Sequence, residues 1–128
     1  MSEAHLETAR RFFDAYNMAR PAEFLEILEE DVELHTLREV EKGHDGAREW
    51  LKKGRGKIVP RILTDRFFDR DERVLVLARL QLRSKASNEI LQEADVASIF
   101  EFSEEGRIAR WQMFGDPGDA LKEMGIGG

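Results

Sequence analysis

The sequence predicts an α+β domain in which helices come first and an antiparallel sheet follows, and three observations predict it. Leu6, Ala9, Phe13 and Tyr16 recur at the spacing of one helical face near the start. From Arg73 to Phe114 the chain carries long strand-like runs, RVLVLARLQLR, ILQEADVASIFEF and RIARWQMF, divided by short polar turns. Helices grouped ahead of strands, rather than alternating with them, argue against a wound parallel sheet. With 128 residues and 41% hydrophobic content the chain can fill one core, so a single domain over residues 1–128 is expected.

Each element has its own local reason. Phe12 widens the apolar stripe of the first helix, and Asn17-Met18-Ala19-Arg20 breaks it. Pro21 suits the first position of a second helix, where a missing N–H costs nothing. Phe24, Ile27 and Leu28 would be that helix's buried face, and Glu29-Glu30-Asp31 its end. Val32 to Leu37 alternates as a short strand. Lys42 to Gly46 is turn chemistry, with Asp45 placed to cap a third helix that buries Ala47, Trp50 and Leu51, and Gly54 and Gly56 placed to stop it. Ile62 to Phe68 reads as a strand, Asp69 to Glu72 as a charged turn, and Arg73 to Arg83 as a long strand turned back by Ser84 to Asn88. A second long strand spans Ile90 to Phe102, the turn Ser103 to Gly106 follows, and the last strand is Arg107 to Phe114. Asp116-Pro117-Gly118-Asp119 opens a closing helical turn that Gly125 stops.

Charge excludes some functions. With 26 acidic against 20 basic side chains the formal charge is −6, so no nucleic-acid partner is expected. The one basic run, Leu51 to Arg61, lacks interleaved aromatics, and its GRGK is not a phosphate loop. The absence of cysteine removes disulfides and thiolate chemistry together. The opening MSEAHLETARRFF has no apolar leader region and no run reaches membrane-span length, so a cytoplasmic protein without a membrane partner is expected. His44-Asp45 lacks the further ligands a metal site requires, and neither a metal nor another cofactor is expected.

Four stretches, ARRFFDAYNMARPAEFLEILEEDVELHT, GHDGAREWLKK, RVLVLARLQLR and EFSEEGRIARWQMFGD, together resemble the nuclear transport factor 2-like superfamily, within it the SnoaL-like cyclase and ketosteroid isomerase group. The likeness covers nearly the whole chain. It implies a cone-shaped roll, with a strongly curved, mostly antiparallel sheet packed on three N-terminal helices and a short C-terminal helix. It also implies a deep apolar pocket and a homodimer formed through the outer face of the sheet. It does not imply one activity, since similar proteins include isomerases, cyclases, dehydratases, epoxide hydrolases and domains without chemistry.

The resemblance sets the inward positions. Ala94, Val96, Ser98 and Phe100 fall inward on the second long strand, and Trp111 and Met113 on the last. A hairpin turning about Ala86-Ser87 then points Leu75, Leu77, Arg79 and Gln81 inward, whereas a slip of one residue substitutes Val76, Ala78, Leu80 and Leu82. Ketosteroid isomerases use a carboxylate base and an oxyanion hole of a tyrosine and a neutral aspartic acid. On the resemblance those positions fall at Thr36, Phe12 and Ser98, and a histidine of many SnoaL-like proteins also falls at Ser98. The acid–base groups of that constellation are absent.

Candidate catalytic residues are therefore Tyr16 and Arg79 as electrophilic donors and His35 or Asp65 as base, and Phe12, Thr36, Trp50, Gln81, Ser98, Phe100, Trp111 and Met113 are candidate substrate-binding walls. Structural readings stand beside these. Tyr16 can be a core residue with its hydroxyl at the rim, and alternation with Leu34 and Thr36 turns His35 outward. Arg79 can pair with Asp65 or Glu93, because an unpaired buried charge is costly. Val74, Val76, Ala78, Leu80 and Leu82, with Leu91, Ala97, Ile99, Ile108 and Phe114, would form an apolar outer face that a second copy covers. The expected function is a cofactor-free acid–base enzyme on a small hydrophobic substrate; the alternatives are a binding domain for an apolar ligand and a structural dimer.

Overall fold

The computed structural model describes residues 3–53 and 55–126. Two helices, α1 (Glu3–Met18) and α2 (Pro21–Glu26), lead into strand β1 (Leu28–His35), the short β2 (Val40–Lys42) and α3 (Gly43–Lys52). A meander follows of β3 (Ile58–Arg70), β4 (Arg73–Ser84), β5 (Ile90–Phe102) and β6 (Ile108–Phe114), closed by α4 (Pro117–Glu123). The six strands form one sheet in the order β2-β1-β6-β5-β4-β3, antiparallel except where β1 runs parallel to β6. No described helix is long and apolar enough to cross a membrane.

The core is built on Phe12. Its ring, wholly buried, meets Phe13, Phe24, Trp50, Phe100 and Trp111 at centroid distances of 5.0–6.2 Å. The stripe Ala9-Phe12-Phe13-Tyr16 thus lies along the concave side of the sheet, as the helical periodicity predicts. Bulges or irregularities in β1, β3, β6 and, in the β4–β5 hairpin, β5 supply local bending and extra twist, the usual means of curling a sheet around a helix.

Four local expectations are corrected. The second helix ends at Glu26, because Ile27 and Leu28 are taken by the parallel pairing with β6. The Ile27 carbonyl accepts from the Ile108 N–H at 2.8 Å, and Leu28 pairs with Ile108, so Glu29 to Asp31 lie within β1. At the other end β1 stops at His35, and Thr36 opens a turn whose Glu39 carbonyl accepts from the Thr36 N–H. Asp45 does not cap α3; it lies in the first turn and pairs with Arg48 at 2.7 Å. Gly43 instead makes the turn into α3, with φ +69° and the Glu30 carbonyl oxygen only 3.2 Å from the place a Cβ would occupy. The β3–β4 turn is tighter than predicted, since Arg70 pairs with Arg73 and only Asp71 and Glu72, both at positive φ, lie between. Of the two glycines read as stopping α3, Gly54 lies outside the described residues. At the C-terminus Asp116 accepts from the Gly118 N–H at 2.9 Å and Gly125 takes φ +68°, as expected of a capped helix and its stop.

The largest correction is the register of β4. Near the turn Arg83 pairs with Ile90, the partner that a turn about Ala86-Ser87 requires. The next pair is Leu82 with Gln92, so Leu91 is the extra residue of a bulge and every later pair slips by one. Val74, Val76, Ala78 and Leu80 consequently face inward beside Phe100, Ser98, Val96 and Ala94. Leu75, Leu77, Arg79 and Gln81 face outward beside Ile99, Ala97, Asp95 and Glu93. Ile108 also belongs to the inner core. The apolar outer patch is therefore Leu75, Ala97 and Ile99, and α4 already covers it with Ala120 and Met124.

Leu91 itself is 53% exposed, so Leu91→Ala should change stability by no more than about 0.5 kcal/mol. Deletion of Leu91 should leave the variant folded and cooperatively unfolding in urea, because Arg83–Ile90 and Leu82–Gln92 then become consecutive pairs and Arg79 and Gln81 keep their outward places.

Candidate functional site

A cavity of about 580 Å³ opens between α1, α3, the turn after β1, and the inner faces of β3 and β4. Its walls are Tyr16, Trp50 and Met113 on one side and Pro60, Ile62, Leu80 and Leu82 on the other. The volume is that of an ordinary small-molecule pocket. Below it the interior is filled, since Phe12, Phe100 and Trp111 are completely buried and line no part of the cavity. Ser98 is likewise wholly buried, paired across the strands with Met113.

Tyr16 is held by several contacts. Its ring stacks on Trp50 at 4.5 Å, and the Arg55 guanidinium carbon lies over the same ring, 4.8 Å from its centroid. Arg55 also donates through Nη2 to the Tyr16 carbonyl and through Nε to the Leu51 carbonyl, each at 2.5 Å. One cation thereby satisfies carbonyls at the C-terminal ends of both α1 and α3, where helix dipoles favour positive charge. Asn17 completes the anchorage, its side-chain amide exchanging two 2.8 Å hydrogen bonds with the Ile62 backbone. Tyr16 itself is buried and lines the cavity. Burial pushes its pKa above the usual phenol value, against a smaller downward pull from Arg55, so at neutral pH it is an O–H donor.

The rim is charged and wet. Lys53 bridges Glu39 at 2.7 Å and Glu41 at 2.9 Å, which holds its ammonium far above the usual lysine range and the Glu39 carboxyl below its own. The Thr36 hydroxyl is committed to the turn, donating to the Glu39 carbonyl at 3.0 Å and accepting from the Arg38 and Glu39 N–H groups. The titratable residues lining the cavity are thus Tyr16, Arg38, Glu39 and Lys53, the last three exposed.

The other predicted site residues lie elsewhere. Arg79 is on the outer face, 3.3 Å from Asp95 and 3.6 Å from Glu93. Gln81, also outward, donates to Glu93 and accepts from Arg83, so neither residue reaches the cavity. Asp65 sits exposed at the β3 bulge, where it borders a separate outer hollow of about 600 Å³ together with Arg79 and Asp95. His35 points away from buried Leu34, as alternation predicts, and its Nε2 meets Glu33 at 2.9 Å. That contact holds the Glu33 carboxyl below its usual range. His44 meets the Leu28 carbonyl at 3.0 Å, and His5 is in α1, stacked on Phe102 at 4.0 Å.

Tyr16, Thr36, Trp50 and Met113 are therefore the predicted residues that the fold brings to one cavity. Sequence reasoning missed Lys53, Arg55 and Asn17. The first two sit in the basic run read as a solvated helix end, and Asn17 in a stretch read only as a break. Leu80 and Leu82 were visible as the slipped register.

A family model described as SnoaL-like domain matches residues 9–111. No curated protein matches the chain in sequence. Among solved structures the chain is similar to an NTF2-like protein of unknown function from Burkholderia pseudomallei, with 18% identity and a TM-score of 0.76 over 97% of this chain and 98% of the other. It is similar to an LEH-like epoxide hydrolase of Mycobacterium tuberculosis, with 17% identity and a TM-score of 0.73 over 94% and 89%. A third, also from Mycobacterium tuberculosis and solved in complex with estradiol-17β-hemisuccinate, shares 9% identity and a TM-score of 0.76 over 90% and 95%. At these identities the likeness is one of fold.

The chain has a single tyrosine, so absorbance at 295 nm reports Tyr16 alone. Its titration midpoint should lie above about 10, the usual phenol value. Because the folded pKa is raised, this group's contribution to stability is complete below the unfolded pKa and is lost as pH rises from there through the folded value.

Proposed function

The chain belongs to the SnoaL-like domain family, and we propose that within it this protein is a binding domain that holds a small, neutral, largely apolar ligand in the cavity beside Tyr16. One observation carries this reading. The cavity walls are aliphatic and aromatic, the polar atoms of those walls are the Tyr16 hydroxyl and the Trp50 indole N–H, and the charged residues stand exposed at the rim. Apolar burial supplies affinity in such a site, and a few donors supply orientation. The steroid conjugate held by one structural neighbour supports the apolar part of this ligand class, its ring system being apolar although its hemisuccinate arm ends in a carboxylate.

Acid–base turnover is the competing reading, favoured by the likeness to an epoxide hydrolase. It requires a base inside the cavity. His35 is engaged with Glu33 outside it, Asp65 and Arg79 lie on the opposite face, and Thr36 stands where the resemblance would place a carboxylate. These placements favour binding over catalysis.

A thermal-shift screen of neutral aromatic and alicyclic compounds should find ligands that raise the midpoint by several degrees, since saturation at 100 times Kd contributes about 2.7 kcal/mol. Leu80→Arg should abolish the response, while Arg79→Ala should leave affinity within about twofold, a surface change away from the site. Failure of every compound, or equal loss in both variants, would refute the pocket.

Assembly belongs to the same proposal. With α4 over Leu75 and Ile99, the apolar area left for a partner on the outer face is the half-buried strip of Phe68, Leu77 and Phe114. A homodimer through this strip should sediment at twice the 14.8 kDa chain mass at micromolar concentration, and a monomer there would refute it.

A further inference from the structure

A second, smaller hollow of about 140 Å³ lies at the base of the β4–β5 hairpin and shares with the main cavity only the wall residue Pro60. Its charged lining is Arg61, Arg83 and Lys85, with Ser84 and Asn88 beside them. No carboxylate lines it, in a chain whose 26 acids outnumber its 20 bases. Like charges gathered in one hollow repel, and here no acidic side chain offsets them. Across β3 and β4 Val59 pairs with Arg83 and Arg61 with Gln81, so both arginines stand on the same, outer face of the sheet.

Arg83 is fixed without being neutralised. Its Nε and Nη2 donate to Gln81 Oε1 at 2.9 and 2.6 Å, and its Nη1 to Asn88 Oδ1 at 3.3 Å, all uncharged oxygens. A guanidinium carries five N–H groups, so two remain, one on each Nη nitrogen. Arg61 and the Lys85 ammonium have no side-chain partner among the described residues. Glu93 is engaged with Gln81 and Arg79, and Glu89, next to Asn88 in the chain, lines no part of the hollow. Ser84 Oγ accepts from the Ser87 N–H and keeps its own hydrogen to donate. The side chains of this lining therefore present donors, their acceptor oxygens being already in use.

We propose that this hollow is an oxyanion site that takes a phosphate group, held by the two remaining N–H groups of Arg83 together with Arg61 and Lys85. A guanidinium fork matches paired phosphate oxygens, and the lysine adds a point charge. A tetrahedral dianion offsets more of the gathered positive charge than a carboxylate does, and it presents oxygens in several directions where a carboxylate offers one plane. The group arrives either as free phosphate or as a phospholipid headgroup, the chemistry recognised being the same. The basic run Leu51 to Arg61 supplies one of the three cations and the hairpin the other two, so no single stretch of sequence displays the site.

Inorganic phosphate titrated into the full chain at constant ionic strength, with chloride as the balancing anion, should shift the amide resonances of Arg61 and of Arg83 to Asn88 saturably. Arg83→Gln should weaken binding about tenfold, the value of a charge-assisted hydrogen bond. Lys85→Gln, on an exposed side chain beyond the end of β4, leaves the fold intact and should weaken binding about threefold. Lys122→Gln removes an exposed cation from α4 and should leave affinity within about twofold. Vesicles separate the two sources. Phosphatidylcholine vesicles carrying phosphatidic acid should sediment the protein, and lose it in Lys85→Gln, where the group comes on a lipid; they should leave it in solution where free phosphate is the ligand. Shifts that grow linearly without saturating, shifts that chloride alone reproduces, or equal losses in Lys85→Gln and Lys122→Gln would overturn the site. Each of these outcomes leaves the apolar cavity and its thermal-shift ligands untouched.

Discussion

The bulge at Leu91 decides what is inside this protein. A β-strand offers its side chains to two faces in strict alternation, so one skipped residue exchanges the faces of everything that pairs beyond it. Here the exchange puts a row of valine, alanine and leucine on the inner face of β4 and sends Arg79 and Gln81 to the outer face, where acidic partners across the hairpin meet them. The aromatic packing around Phe12 and the aliphatic wall at Leu80 both presuppose that slip. A charged residue inside would have demanded a partner that the concave face does not provide.

This bulge also explains why the fold was more legible than the site. Helix α1, the three long strands of the meander and the capped α4 follow from short-range signals, periodicity, turn residues and an N-cap aspartate, all local to the chain. The end of α2 was not local. Ile27 and Leu28 continue a helical spacing, and the parallel neighbour β6, eighty residues away in sequence by order of magnitude, claims them for a strand. β2 is only three residues long and exists by pairing with β1. The register of β4 depended on one residue in a turn whose centre had been read correctly at Arg83 and Ile90 and then shifted. Tyr16, Trp50 and Met113 were legible as pocket residues because helical spacing and the last strand place them without reference to that turn.

The mouth of the cone is organised by side chains that sequence patterning treats as filler. Arg55 ties together the ends of two helices, and Asn17 substitutes an amide for a strand's own backbone along the edge of β3. Their joint effect is preorganisation. Tyr16 and Trp50 are stacked before any ligand arrives, so less conformational freedom remains to be lost on binding. Electrostatics divide along the same line, with the Lys53–Glu39 pair exposed at the rim and neutral donors within.

The β3 bulge at Asp65 has a consequence of another kind. β3 is the terminal strand of the sheet, thirteen residues long, and a free edge of that length is a template on which another chain can add a strand. Pro60 removes one donor from the edge, the bulge breaks its regular spacing, and Arg61, Asp65 and Arg66 stand exposed along it. The other terminal strand, β2, is too short to recruit anything. Asp65, which invites a catalytic interpretation, thus belongs to the features that keep this sheet from growing into fibrils.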